Sequence, residues 1–242
     1  LLRWVALVAL ALLLLQLFFV ARIATMVVLD PQSTTFQRSE AWRIANDKGT
    51  LAWRQQWVPY AQISDHLKRA VIASEDDGYV DHDGVDWDAI EKAWARNSRA
   101  EEQAQRRAAA ARNARNSRAP KVVGGSTISQ QLAKNLLLSG ERTLLRKGQE
   151  LVLTLLLELM LDKQRILEIY LNNVEWGTGV FGAQAAAEHY FRKPASRLSA
   201  YEAARLAVML PRPKYFEKLS QSAYLSGRAA TIVDRMPHAQ LP

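Results

Sequence analysis

The sequence predicts a mainly α-helical domain that follows an N-terminal transmembrane helix. Three observations lead to this fold class: a long apolar run at the start, frequent helix-capping patterns after it, and almost no alternating pattern of the kind that indicates β-strands. The chain has 242 residues, of which 49% are hydrophobic and 23% are charged. This length suits one globular domain with an anchor and is too short for a second large domain.

The membrane anchor is predicted at residues 1–29. Residues 4–21 form an apolar run that only Gln16 interrupts, and residues 23–29 are nearly as apolar. A run of this length can span about 30 Å of hydrocarbon. A cleaved signal peptide is the main alternative, but its apolar part is usually about 7–15 residues long, and no convincing small-residue cleavage site follows. A buried helix is disfavoured because no polar face is left for water.

A polar linker with the domain entry is predicted at residues 30–56, and the globular domain at residues 57–242. Capping residues predict where its helices start. Ser64 can cap a helix that runs to about Glu75, and two capping boxes start further helices, namely Thr127 with Gln130 and Ser199 with Glu202.

Two segments of the domain differ in composition from the rest. Residues 99–120 are rich in Ala and Arg with almost no large apolar side chain, which predicts a mobile, partly helical excursion. Between Arg96 and Lys121, eight Lys or Arg against two Glu give +6 of the net charge of +8. Such a segment could attract nucleic acid or lipid headgroups, or could simply be solvated. Leu151–Leu161 is too short to cross a bilayer and is interpreted as a helix buried at the centre of the domain.

Cysteine and histidine usage restricts the chemistry further. The chain has no cysteine, which excludes disulfides and thiolate metal sites and leaves the redox compartment open. Its four histidines are scattered along the sequence, so no metal site is predicted.

The stretch SEDDGYVDHDG, residues 74–84, is the first candidate for chemistry. Glu75 follows an apolar helical stretch, so its carboxylate is predicted to lie where a helix leaves the core. Desolvation at such a place raises a carboxyl pKa and makes a competent general base. The alternative is an exposed acidic turn in which His82 is an ordinary loop residue.

The stretch GGSTISQQLAKN, residues 124–135, is the second candidate. Paired glycines allow a close backbone approach, and the N-terminus of the following helix is a natural seat for phosphate. Gln130 and Lys134 are four residues apart on one helical face. The alternative is a glycine turn before an ordinary amphipathic helix.

The stretch RTLLRKGQE, residues 142–150, is the third candidate. Arg142, Arg146 and Glu150 stand at four-residue steps on one helical face, which predicts a cationic wall beside a carboxylate. A surface ladder of ion pairs is an equally good interpretation of Arg146 and Glu150.

The fourth stretch, residues 163–191, is interpreted as structural. Its apolar residues, Tyr170 among them, repeat at helical spacing and indicate core. Asn172 is a candidate scaffold residue, and the glycines at 177, 179 and 182 predict a helix stop with a sharp turn.

Taken in order, these motifs resemble the family 51 glycosyltransferases, and most closely the monofunctional biosynthetic peptidoglycan transglycosylases. The resemblance covers about residues 57–215 through EDDGYVDHDG, GGSTISQQLAKN, RKGQE, KQRILEIYLNN and LAVMLPRP. It implies a lysozyme-like helical fold with a partly membrane-embedded lobe. Tyr79 stands where the family more often has phenylalanine, and residues 99–120 are longer than the usual connection.

The resemblance also implies a reaction and roles for the candidate residues. The enzyme would polymerise lipid II into β-1,4 glycan strands with inversion, and it would release undecaprenyl pyrophosphate. Glu75 would be the general base. Glu150 would be the second family glutamate, and three roles are open for it: to orient the cationic residues, to help protonate the leaving group, or to recruit a divalent cation. Lys134 and Arg142 would stabilise the pyrophosphate with help from Arg146, and Ser126 and Gln130 would hold phosphate or sugar hydroxyls.

The resemblance implies no certain cofactor, and it leaves open whether a divalent cation, Mg²⁺ or Mn²⁺, binds with the pyrophosphate. It places a single-pass protein in the bacterial inner membrane with its catalytic domain in the periplasm. The expected partners are lipid II, the growing strand, the membrane and other cell wall synthesis proteins, and no nucleic acid.

Three other functions compete with this interpretation. A lysozyme-like hydrolase or lytic transglycosylase would share the fold and the glutamate, but it expels a sugar hydroxyl and has no need of the cluster of Lys134, Arg142 and Arg146. A bifunctional penicillin-binding protein would need an SxxK motif, which the sequence lacks. A non-catalytic scaffold would have no reason to keep Glu75 and Glu150 beside an apolar core.

Overall fold

The structure is a computed structural model and describes residues 2–110, 125–138 and 143–242. Over these residues the chain is mainly helical, as predicted. The helices are α1 (Leu2–Thr25), α2 (Thr35–Lys48), α3 (Asp65–Glu75), α4 (Trp87–Ala110), α5 (Ile128–Leu137), α6 (Leu144–Met160), α7 (Lys163–Asn173), α8 (Ala183–Phe191), α9 (Ala200–Met209), α10 (Pro213–Glu217) and α11 (Ala223–Arg235). The strands are β1 (Arg54–Gln55), β2 (Glu175–Gly177) and β3 (Val180–Phe181).

The predicted capping residues start their helices as expected. The Ser64 side chain caps α3, which ends at Glu75. Thr127 with Gln130 forms a complete capping box at α5, and Ser199 with Glu202 forms one at α9. These boxes satisfy backbone N–H groups that have no partner within the helix, which is why such local patterns locate helix starts reliably.

The core of the domain is built from helices that bury apolar faces against one another. Helix α3 packs on α9, and α11 packs on both. Helix α7 is buried on nearly all sides, and its residues Ile166 and Tyr170 belong to the core, as predicted for this stretch. Asn172 is a scaffold residue, since its side chain exchanges two hydrogen bonds with the Val58 backbone, at 2.9 and 3.0 Å.

The three short strands form a sheet in the order β1-β3-β2, in which β2 and β3 follow α7 directly and β1 comes from the segment after α2. Strands β2 and β3 pair antiparallel as a hairpin, and β1 pairs with β3 in parallel. Gly179 in the hairpin turn has a φ of 74°, and a Cβ there would lie 2.0 Å from the Ala52 carbonyl oxygen. The predicted helix stop and glycine turn are therefore confirmed.

The segment predicted as a polar linker contains a helix. Helix α2 starts at a capping box in which the Thr34 N–H donates to Gln37 Oε1 at 2.9 Å and the Gln37 N–H donates to Thr34 Oγ1 at 3.0 Å. The Gln37 amide also donates to the Asn173 carbonyl oxygen at 3.2 Å, which attaches α2 to the end of α7. Residues 30–56 are thus partly folded against the domain.

Helix α6 is only half buried, so the expectation of a helix buried at the centre of the domain was wrong. Leu153 and Leu157 lie in the core, whereas Val152, Leu155 and Leu159 are 45%, 49% and 81% exposed. The exposed Leu155 and Leu159 point away from the protein core, because each stands two positions after a buried leucine and side chains two positions apart project from different sides of a helix. The outward face of α6 is as apolar as its inward face.

Helix α1 is long and apolar enough to cross a membrane. Its C-terminal part docks on the domain, where Phe19, Ile23 and Met26 join the core. The Arg165 guanidinium fixes the end of the anchor, since it donates to the Met26 carbonyl oxygen at 2.9 Å and pairs with Asp30 at 2.8 Å.

The predicted excursion at residues 99–120 is helical where the structure describes it. Helix α4 continues through residues 99–110, and the prediction for residues 111–120 falls outside the described residues.

Candidate active site

Glu75 stands at the C-terminal end of α3, separated by Ser74 from the four buried core residues 70–73. Its side chain is partly buried. Burial raises the pKa of the Glu75 carboxyl, and hydrogen bonds from Gln131 and Ser74 partly oppose that rise. The Gln131 amide donates to Glu75 Oε2 at 3.1 Å, and the Ser74 hydroxyl donates to Oε1 at 3.3 Å. A carboxyl group of raised pKa that is held in a fixed position suits the role of a general base.

Gln131 links the base to the core. While its amide nitrogen donates to Glu75, its amide oxygen accepts a hydrogen bond from the buried Tyr170 hydroxyl at 3.0 Å. The tyrosine therefore fixes which end of the amide faces the carboxylate. Neither Gln131 nor the Tyr170 hydroxyl was predicted as part of the site.

Asp76, next to the base, joins the end of α3 to the start of α5. Its Oδ2 accepts the Ile128 N–H at 2.9 Å, and its Oδ1 pairs with His82 Nε2 at 2.9 Å. The Thr127 hydroxyl adds a hydrogen bond to the Gly84 carbonyl oxygen at 2.6 Å. The N-terminus of α5 is thereby tied to the turn that follows Glu75, and His82 is part of this structure and not an exposed loop residue.

Gly84 allows this turn to pack tightly on α6. Its φ is 84°, and a Cβ there would lie 2.7 Å from Glu158 Cγ and 2.8 Å from Thr154 Cγ2. Only glycine adopts this backbone conformation without strain and leaves room for the helix behind it.

The candidate residues of the second motif separate into two groups. Gln130 is buried, and its amide oxygen accepts the Thr127 N–H at 3.2 Å in the capping box, so this oxygen is used for folding. Ser126 and Lys134 are exposed. Lys134 lies three residues after Gln131, on the same side of α5, so the structure brings Lys134 to the face that holds Glu75.

A buried carboxylate among cations forms the second part of the site. Glu150 on α6 is buried and pairs with Arg146 at 2.9 Å and with Lys147 at 2.5 Å. The predicted pairing of Arg146 with Glu150 is present, but Lys147, one residue off the predicted face, is an additional partner that sequence reasoning missed. Arg142, the other predicted cation, lies outside the described residues.

Helices α5 and α6 bring the two parts together. Near the start of α5 the Ser129 hydroxyl donates to Glu158 Oε1 at 2.5 Å, close to the end of α6. The connection 138–143 joins their other ends, so the helices run antiparallel. Arg146 and Lys147 consequently lie toward the C-terminal end of α5, beyond Lys134 along the same pair of helices. Glu75 thus contacts α5 through Gln131, and α5 packs on α6, which carries Arg146 and Lys147.

A second buried carboxylate lies outside this site. Burial raises the pKa of Glu175 to about 7; Lys214, whose Nζ is 3.3 Å from Oε1, opposes the rise and Glu40 adds to it. Within the described chain no group of His, Cys, Asp and Glu has the arrangement of a metal site.

Comparison with known proteins places the chain in a family. The family model described as transglycosylase matches residues 45–237. The chain is 52% identical over 227 residues to the biosynthetic peptidoglycan transglycosylase of Burkholderia thailandensis, which covers 94% of this chain and 82% of that protein. It is 51% identical over 244 residues to the protein of the same name from Burkholderia pseudomallei, and the match covers 99% of this chain and 88% of that protein. It is 49% identical over 244 residues to the protein of the same name from Paraburkholderia xenovorans, and the match covers 99% of this chain and 94% of that protein.

Proposed function

Because the chain belongs to the transglycosylase family, we propose that it polymerises peptidoglycan glycan strands from lipid II. The observation that carries this proposal is the position of Glu75, a carboxyl group of raised pKa held by Gln131 on a helix face that also presents Lys134. A base and a cation on neighbouring positions are what glycosyl transfer from a pyrophosphate requires.

In the proposed reaction Glu75 acts as general base. It takes the proton from the 4-hydroxyl of the incoming lipid-linked disaccharide as that oxygen attacks the anomeric carbon of the growing strand. The bond from this carbon to the pyrophosphate breaks on the opposite side, so the linkage inverts from α to β in one step. The proton rests on Glu75, and the electron pair leaves with undecaprenyl pyrophosphate.

The cations of α5 and α6 serve the leaving group in this proposal. Negative charge grows on the pyrophosphate in the transition state, and fixed positive charges lower that barrier. Lys134 and Arg146 are the described candidates, with Arg142 as a further prediction from the sequence. Lys147 joins them on geometric grounds, since it shares Glu150 with Arg146. Ser126, exposed beside the start of α5, is proposed to bind phosphate or sugar hydroxyls, whereas only the amide nitrogen of Gln130 could do so.

Glu150 is proposed to hold the cations in place. Both of its oxygens accept from positively charged groups, so as arranged it is a poor ligand for a divalent metal. A divalent cation, Mg²⁺ or Mn²⁺, stays a prediction and would bind chiefly through pyrophosphate oxygens. Loss of activity with a chelator, with recovery on adding Mg²⁺, is the measurement that would establish it.

The membrane has a direct role in this proposal, because substrate and product are both held in a bilayer by lipid chains. We propose a single-pass protein of the bacterial inner membrane with a periplasmic catalytic domain that works beside other cell wall synthesis proteins. The apolar outward faces of α1 and α6 support contact with lipid at the domain as well as at the anchor.

The test uses the full-length protein in detergent with labelled lipid II and follows glycan polymer on a gel. Wild type is expected to make polymer and Glu75→Gln to make none. Asp77→Asn is the matched control, since Asp77 lies two residues away with an exposed side chain paired to Arg235. Polymer made by the Glu75→Gln variant would refute the role of Glu75 as general base. Release of fragments from purified cell wall, without polymer from wild type, would favour a hydrolase instead.

A further inference from the structure

The anchor helix carries one polar side chain within its apolar run, and this side chain has a specific partner. The Gln16 amide donates to Gln149 Oε1 at 3.0 Å, and the Gln149 amide donates back to Gln16 Oε1 at 3.2 Å. The pair joins α1 to α6, and its α6 member, Gln149, directly precedes Glu150 in the sequence. A reciprocal amide pair uses a donor and an acceptor on both sides, so it forms at one relative position of the two helices only.

From this pair the two helices run in the same direction along the chain. Gln16 meets Gln149 at one end, and Val27, two residues past the end of α1, lines a common cleft with Met160 at the other. Both intervals are eleven residues. Between these ends Phe19, Ile23 and Met26 are buried, which with Gln16 gives a spacing of three, four and three residues, as in a coiled-coil seam.

Apolar seams of this kind do not fix register by themselves, because one apolar side chain can replace another after a slide. A single polar pair within the seam does fix it, since a slide leaves amides without partners in an apolar surrounding. The depth of α6 relative to the anchor therefore depends on Gln16.

We propose that Gln16 and Gln149 are positioning residues that lock the register of the anchor against α6 and so set the depth of the active site at the bilayer. A slide of one helical turn would move Arg146, Lys147 and Glu150 by about 5 Å. The benefit for catalysis rests on the proposed function, in which a lipid-linked pyrophosphate lies at a depth that its own lipid determines.

The register can be measured without any assay of activity. The chain has no cysteine, so spin labels can be placed at Leu12→Cys on α1 and Leu159→Cys on α6, both exposed positions. From helix rise and spacing the labelled backbones lie about 20–25 Å apart. In phosphatidylcholine vesicles, pulsed electron resonance should show one narrow distance distribution. Gln16→Leu, and also Gln16→Leu with Gln149→Leu, should broaden it or shift it by about 5 Å.

Leu13→Ala is the control, because Leu13 is an exposed apolar residue of the same helix, and it should leave the distribution unchanged. A distribution in Gln16→Leu that equals the wild-type one would overturn the proposal. Recovery of the narrow distribution in the double leucine variant would also overturn it, since the apolar seam alone would then fix the register.

The second readout compares polymerisation in vesicles and in detergent micelles. Gln16→Leu should lose about five- to tenfold of its rate in vesicles and less than twofold in micelles, where no bilayer sets the depth of the substrate. Gln16→Asn, which keeps an amide, should retain more of the vesicle rate. Equal losses in both media would indicate a folding defect and refute the positioning role. If wild type makes no polymer in either medium, the proposed function fails, while the distance measurement still decides the register lock.

Discussion

Replacing Gln131 with methionine should move the acid limb of the pH–rate profile to higher pH. Burial raises the pKa of Glu75, and the hydrogen bond from the Gln131 amide is the largest opposing contribution. Methionine has nearly the same length as glutamine but cannot donate this bond. The carboxylate is then less stable as an ion, so the base needs a higher pH to lose its proton.

The size of this shift follows from the kind of bond that is lost. A hydrogen bond to a charged group contributes about 1.5–3 kcal/mol. Glu75 is partly exposed, and water can replace part of the bond, so the lower end of this range applies. A loss of about 1.4 kcal/mol moves the midpoint of the limb upward by about one pH unit. The rate should fall about tenfold below the limb and much less on the plateau.

The assay measures initial rates of polymerisation from labelled lipid II between about pH 4.5 and 8 in one detergent. Gln130→Met is the matched control, because this neighbouring glutamine belongs to the capping box of α5 and does not contact Glu75. It should cost about 1 kcal/mol of stability through the lost cap and leave the midpoint unchanged.

The reasoning fails if Gln131→Met leaves the midpoint in place or moves it to lower pH. It also fails if Gln130→Met produces the same upward shift, because the change would then follow from a loosened α5 and not from the bond to Glu75.

The contrast between these glutamines shows how far sequence could locate the site. The sequence predicted Gln130 as a residue that holds phosphate or sugar hydroxyls, and this stays a prediction; the contact with Glu75 belongs to the neighbouring Gln131, which the sequence did not indicate. Adjacent residues on a helix point about 100° apart, so only one of them can face a given partner. A local signal did exist, since the capping box of Thr127 already used the Gln130 side chain. The partners of Gln131, Glu75 and Tyr170, lie far from it in the sequence, so the local spacing of residues does not indicate these contacts.

The charged part of the site illustrates the same limit. The four-residue spacing of Arg146 and Glu150 correctly indicated their pairing. It passed over Lys147, although residues three apart on a helix are neighbours as well. Which neighbour a buried carboxylate uses depends on the side from which the helix is covered, and that is set by tertiary packing.

Helix α6 shows why apolar composition misled the fold prediction. Leu151–Leu161 has the composition of a fully buried helix, yet Leu155 is about half exposed and Leu159 is largely exposed. Lipid accepts apolar side chains as readily as a protein core does, so composition cannot distinguish the two surroundings. The same helix joins the core with one face, the anchor through Gln149 and the candidate active site through Glu150, so under the proposed function its depth in the bilayer affects catalysis.

Three further predictions concern single positions. Tyr170→Phe removes the hydrogen bond that orients the Gln131 amide. The acid limb of its pH–rate profile should therefore move to higher pH, but by less than the limb of Gln131→Met. A larger shift would contradict the view that Tyr170 acts on Glu75 only through Gln131. Gly84→Ala should destabilise the protein by more than about 2 kcal/mol in thermal unfolding, because its Cβ would overlap α6 and its φ is positive. Gly49→Ala is the control, with positive φ but nothing within 4 Å of a Cβ, and should cost about 1 kcal/mol. Glu175→Gln should stabilise the protein at pH 8 and much less at pH 4.5. Burial raises the pKa of Glu175 from 4.5 to about 7, so the folded state binds a proton more tightly than the unfolded state, and wild-type stability falls as pH rises through this window. The difference of about 2.5 units corresponds to at most about 3 kcal/mol, or roughly 6–10 °C in the unfolding midpoint. Thermal unfolding in detergent from pH 4.5 to 8 measures this gain, and the exposed Glu91→Gln should show none. A gain that is equal at all pH values would show that Glu175 does not titrate within this window.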